Sequence, residues 1–179
     1  MTFSETGKHK TKTATHILLL LLVSLTTVRT SGQQPAFPKI TGYAGILHPL
    51  VTFSREEKPH YNFDGAYVIG IPTGINIWKS AKIGFSMEFV PLIRAANGTS
   101  KMNNFLFHPG ALFGLGNGFT LATRAAFETS GRYGLTPVLN KIVKKNKGSS
   151  YFIAVPIPIR FGNDLPSSVS IGFQFGISF

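Results

Sequence analysis

The stretch "SVSIGFQFGISF", residues 168–179, alternates without a fault. Val169, Ile171, Phe173, Phe175, Ile177 and Phe179 are apolar, while Ser168, Ser170, Gly172, Gln174, Gly176 and Ser178 between them are small or polar. A period of two sends successive side chains to opposite sides of an extended chain, so this is a β-strand with one greasy face and one small, polar face. Which of the two meets water decides the fold.

The same period recurs upstream. Ile83, Phe85, Met87 and Phe89 share one parity, as do Phe119, Leu121, Ala125 and Phe127, and Tyr151, Ile153, Val155, Ile157, Ile159 and Phe161. From Lys39 onward no 3.6-residue periodicity competes with it. Clusters of Gly, Asn, Pro and Ser cut the chain into segments of about ten residues. They predict eight strands, over 40–53, 61–73, 83–94, 103–114, 119–128, 133–143, 150–161 and 168–179. "GLGNG", residues 114–118, is the strongest turn, because Asn-Gly readily takes positive φ at both central positions. No linker divides residues 40–179, which read as one β domain behind a flexible lead-in over 33–39.

The first 32 residues read differently. Lys8, Lys10 and Lys12 precede the apolar run "ILLLLLVSL", residues 17–25, and small residues follow at Thr30, Ser31 and Gly32. That is the layout of a signal peptide, and the run is too short for the ~20 apolar residues a spanning helix needs. An exported chain is expected, with residues 1–32 outside the fold. The absence of cysteine excludes disulfides, thiolate metal sites and a cysteine nucleophile. The formal net charge of +11 could suggest nucleic acid, but export removes that partner. Lys141, Lys144, Lys145 and Lys147 form a solvated turn or a contact for anionic lipid headgroups.

The face opposite the apolar one carries Ser86, Glu88 and Arg94, then Thr120, Arg124 and Glu128, then Arg160, and then Ser170 and Gln174. Charged residues make up only 14% of the chain, against about 25% in an ordinary soluble domain, and mid-strand glycines are frequent. Gly172 and Gly176 suit a crowded, narrow interior better than a watery surface. The expectation is therefore inverted: apolar side chains outward to lipid, small and polar ones inward. Hydrocarbon cannot satisfy open edges, so the fold expected is all-β, a closed antiparallel eight-stranded transmembrane β-barrel with meander topology. A soluble periplasmic lipid-binding barrel is the contrasting fold, with the aromatics inside.

The signal segment, the short strands and the terminal "FQFGISF" resemble small eight-stranded outer-membrane β-barrel proteins of Gram-negative bacteria. The resemblance implies an outer-membrane location, a monomer among outer-membrane lipids and lipopolysaccharide, and assembly by the barrel-assembly machinery through a C-terminal signal carried by Phe175, Ile177 and Phe179. It covers residues 40–179 in pattern and brings no catalytic motif.

By parity, Asp64, Glu88, Arg94, Arg124, Glu128, Arg160 and Gln174 form an interior polar network. Glu88 is expected to pair with Arg124, and Glu128 with Arg160 or Arg94, because charges in a narrow lumen persist only when paired. Such a network plugs the lumen and opposes an open, porin-like channel. His48-Pro49 and His108-Pro109 recur, and His108 shares the inward parity, but no serine partner or metal-ligand spacing accompanies either. No catalytic residue, cofactor or metal is expected. Pro156 and Pro158 lack backbone donors on one side of the seventh strand. Pro137 weakens the sixth, so a lateral gap between strands six and seven is expected. The function expected is a structural or envelope-interaction barrel; the alternatives are a lipid-modifying enzyme and a carrier of small hydrophobic molecules.

Overall fold

The computed structural model describes residues 36–55 and 57–179. The expected signal peptide and residues 33–35 of the lead-in lie outside the described residues. The strands are β1 (Lys39–Ser54), β2 (His60–Tyr61), β3 (Tyr67–Gly70), β4 (Thr73–Trp78), β5 (Ile83–Ala96), β6 (Thr99–Gly116), β7 (Phe119–Glu128), β8 (Tyr133–Lys145), β9 (Ser150–Pro156), β10 (Ile159–Phe161) and β11 (Ser168–Ser178). Every pairing is antiparallel, and β1 also pairs with β11, the first strand with the last. With β3 and β4 as one broken stave and β9 and β10 as another, the chain is an eight-stave meander paired in a ring.

First meets last from Tyr43↔Ser178 to Ser54↔Ser168. The pairing continues one step further, as Gly42 and Phe179 exchange backbone bonds at 2.8 and 2.9 Å. The two-residue turns follow their chemistry: Asn97 and Gly98 have φ of 50° and 71°, and Asn117 and Gly118 have 49° and 78°.

The second stave departs from expectation. Instead of one strand over 61–73, His60 and Tyr61 pair with Thr52 and Val51, and a turn with Phe63 at φ 78° and Gly65 at φ 70° follows. The stave then runs through β3, breaks at Ile71-Pro72 and continues in β4 to Trp78. Pro72 cannot donate, yet its carbonyl accepts from Gly45 N–H at 2.9 Å, so the stave bends without leaving β1.

The faces are inverted relative to a soluble protein. Phe85, Phe89, Ile153, Val155, Phe173 and Phe175 are exposed around the outside. Inside lie Ser86, Glu88, His108, Arg124, Arg160 and Gln174, each at most 5% exposed. Tyr43, Leu112, Ala122, Val138, Phe152 and Ala154 add an apolar cluster with Trp78 against it, so the interior is not polar throughout.

Candidate functional site

The interior side chains meet because glycines across the register leave room for them. On β4, Gly74 lies opposite both Tyr43 and Glu88. A Cβ there would come within 2.6 Å of the Tyr43 hydroxyl oxygen. Without one, Tyr43 reaches over β4 and its hydroxyl donates to Glu88 Oε2 at 2.9 Å. Gly110 plays the same part opposite Arg124, where a Cβ would lie 2.8 Å from the Arg124 Cγ. The guanidinium therefore passes over β6 to reach Ser86, to which Nε donates at 3.2 Å and Nη2 at 3.1 Å. It also lies 3.6 Å from Glu88 Oε1 and donates to the Tyr43 hydroxyl at 3.2 Å.

His108 joins this cluster to a second one. Directly opposite Glu88 in the β5–β6 register, it sits with Nδ1 3.0 Å from Glu88 Oε1. Its Nε2 lies 3.2 Å from Arg160 Nη2. Arginine only donates, so Nε2 accepts and Nδ1–H donates to Glu88, which fixes the neutral tautomer. Arg160 Nε donates to Glu128 Oε1 at 2.5 Å, and Nη1 donates to Thr136 Oγ1 at 3.0 Å. Glu128 Oε2 also accepts from Asn104 Nδ2 at 2.5 Å and from Ser130 Oγ at 3.0 Å. A continuous chain of polar groups thus runs from Tyr43 at mid-height to Asn104 near the loops.

Glu88 faces Arg124 and Glu128 faces Arg160, whereas two other residues of the expected network are elsewhere. Asp64 is exposed in the turn between β2 and β3, because Asp-Gly chemistry ends the strand that parity had run through it. Arg94 keeps its parity but is exposed. The β6–β7 pairing stops at Leu106↔Glu128, and β5–β6 slips register at Leu92/Ile93, so the ring is already open at the height of Arg94. Gln174 is buried on the inner face opposite Leu47. Tyr43, Asn104 and Thr136 were missed, although alternation within their strands could have marked all three as inward.

The proline expectation needs a correction of side. Val138↔Pro156 and Ile159↔Leu135 keep strands six and seven in one register, and Ile157 N–H donates to the Pro137 carbonyl at 2.9 Å. Odd residues of the seventh stave therefore point their amides at β8, and even ones at β11. Pro156 and Pro158 delete donors toward β11. Pairing with β11 lapses between Gln174↔Ala154 and Ile159↔Val169, bridged by Ser170 N–H donating to the Pro158 carbonyl at 2.8 Å. Parity alone cannot say which neighbour an N–H faces; the register turns the missing donors toward β11, and the pairing with strand six, where a gap is expected from the sequence, is continuous.

Among the described residues no group of three His, Asp or Glu side chains could hold a metal ion. Nor is any helix long and apolar enough to cross a membrane, which says nothing of spanning by strands.

No protein-family profile matches the chain, and no curated protein matches it. Among solved structures, it is similar to a de novo designed protein named TMB2.3, determined by solution NMR. The likeness has 10% identity and a TM-score of 0.46 over 79% of this chain and 93% of the other. At that level the fold description rests on the chain's own strand pairing: an all-β antiparallel meander whose eight staves pair in a ring.

Proposed function

We propose that the ring is a closed β-barrel spanning the outer membrane of a Gram-negative bacterium, with a plugged lumen and a structural or envelope-interaction role. One observation carries this reading: large apolar side chains surround the outside, while the ion pairs Glu88–Arg124 and Glu128–Arg160 face inward. In water that surface would be a single apolar patch far beyond what a soluble monomer shows. In hydrocarbon it is solvated, and pairing of the first strand with the last leaves no edge to satisfy. Lipids and lipopolysaccharide are then its surroundings, a monomer its working form, and Phe175, Ile177 and Phe179 its signal to the assembly machinery.

The absence of catalysis belongs to the same proposal. Both nitrogens of His108 and both oxygens of Glu88 are engaged within the network, so neither group is poised toward a substrate. A second reading, a carrier of small hydrophobic molecules, is favoured by the interrupted β9–β11 seam. It is opposed by the lumen, where Leu106 is separated from Leu112 and Phe152 by the layer of His108, Glu88 and Arg124.

Fractionation tests the proposal. The protein should stay with the outer membrane after a salt wash and migrate differently in a gel when unboiled. Recovery in the soluble periplasmic fraction overturns it.

A further inference from the structure

Charge is divided between the two ends of the ring. At the end that holds Lys39 and Phe179, the turns are 79–82, 117–118 and 146–149. Exposed there are Lys39, Lys79, Lys82, Lys144, Lys145 and Lys147. Among the described residues no Asp or Glu lies at this end. Glu57, Asp64, Glu128 and Asp164 all belong to the opposite end, where Arg55, Lys58, Arg94, Lys101, Arg132 and Arg160 lie among them, and Glu88 is interior.

The collar has a fixed height relative to the apolar wall. Lys82 directly precedes the exposed Ile83 and Phe85 of β5. On β8, Lys141 lies with its ammonium 4.0 Å from the centre of the exposed Phe119 ring and donates to the Asn117 carbonyl at 2.6 Å. Just beyond it, Asn117, Gly118, Ile142, Val143, Lys144 and Lys145 line a shallow pocket of about 330 Å³. Ammonium groups are thus set one step past aromatic and aliphatic side chains, the depth at which lysine stems lie along acyl chains and their heads reach phosphates.

We infer that this lysine collar binds the anionic headgroups of phospholipids in the leaflet at its own end, and so selects phosphatidylglycerol-like lipids over zwitterionic ones around the wall. The inference rests on the membrane-spanning reading above. Its sign is set by the lack of acidic side chains: seven ammonium groups, with no Asp or Glu at that end among the described residues, attract a phosphodiester.

Trp78, the chain's single tryptophan, packs against the interior cluster, so the reporter is the Phe85→Trp variant in a Trp78→Phe background, which carries one tryptophan on the exposed outer wall three residues from Lys82. This folded variant is reconstituted in phosphatidylcholine or phosphatidylglycerol, each with brominated chains, and the relative association constant is read from quenching of its single tryptophan. The result expected is a preference for the anionic lipid that falls with salt and drops about fivefold for each lysine removed by K144Q, K145Q or K147Q. K58Q and K101Q at the other end should leave it unchanged. Equal quenching by the two lipids, or a preference insensitive to the collar variants, overturns the inference while leaving the barrel standing. Quenching by neither lipid would instead remove the membrane reading, and the collar with it.

Discussion

Arg124 shows how much a single interior side chain carries. Its guanidinium touches Glu88, Ser86 and Tyr43 together, and it is buried as deeply as they are. A buried ion pair adds little net stability over an apolar pair of the same shape, but removing one partner leaves the other charge stranded. Arg124→Met should therefore destabilise the folded form by about 3–5 kcal/mol, and Glu88→Gln in the same chain should recover most of that. The check is the temperature at which unboiled protein loses its folded gel mobility, or its urea midpoint in detergent. A double variant no better than the single one would mean that the arginine acts through packing over Gly110 and not through its charge. Parity picked out both members of this pair in the sequence. It could not show Tyr43 joining them, because that contact reaches across two staves and depends on the missing side chain of Gly74 on the stave between.

At the scale of elements, alternation was legible wherever a strand is long and uninterrupted, as in β5, β7 and β11. It failed where turn chemistry or proline intervenes. The second stave was read through Asp64-Gly65 as if continuous, and the seventh was assigned its weak edge on the wrong side, since which amides face which neighbour is set only once register is known. The corrected seam makes a prediction of its own. Pro156→Ala with Pro158→Ala returns two donors toward the carbonyls of Gly172 and Ser170 on β11. Each replaced proline costs about 0.4–1 kcal/mol by loosening the unfolded chain. Each carbonyl satisfied inside hydrocarbon gains several kcal/mol, against about 1 kcal/mol where water already reaches it. If the seam lies in lipid, the double variant should be more stable by at least about 2 kcal/mol, with slower amide exchange at residues 170–173. A neutral or destabilised variant would place the seam in water and withdraw support from a lateral opening.

For the whole molecule, the inversion of faces was legible from composition and parity together, whereas the layering of the interior was not. An eight-stave ring holds little more than its own side chains. Here they form two layers: Tyr43, Leu112, Val138 and Phe152 lie together in an apolar cluster, and the chain from Glu88 through His108 and Arg160 to Glu128 and Asn104 lies toward the loops. An ion would have to cross both, leaving its hydration shell in the first and displacing a bonded pair in the second. Reconstituted protein should thus give no steady current in a planar bilayer. Phe152→Ala with Leu112→Ala should stay closed as well, because the ionic layer remains, and so should Glu88→Ser with Arg124→Ser, because the apolar cluster remains. Only the four changes combined should admit ions, provided the gel shift shows the protein still folded. Steady conductance from the unmodified protein would show that the two layers do not seal the ring, and a porin-like role would replace the structural one.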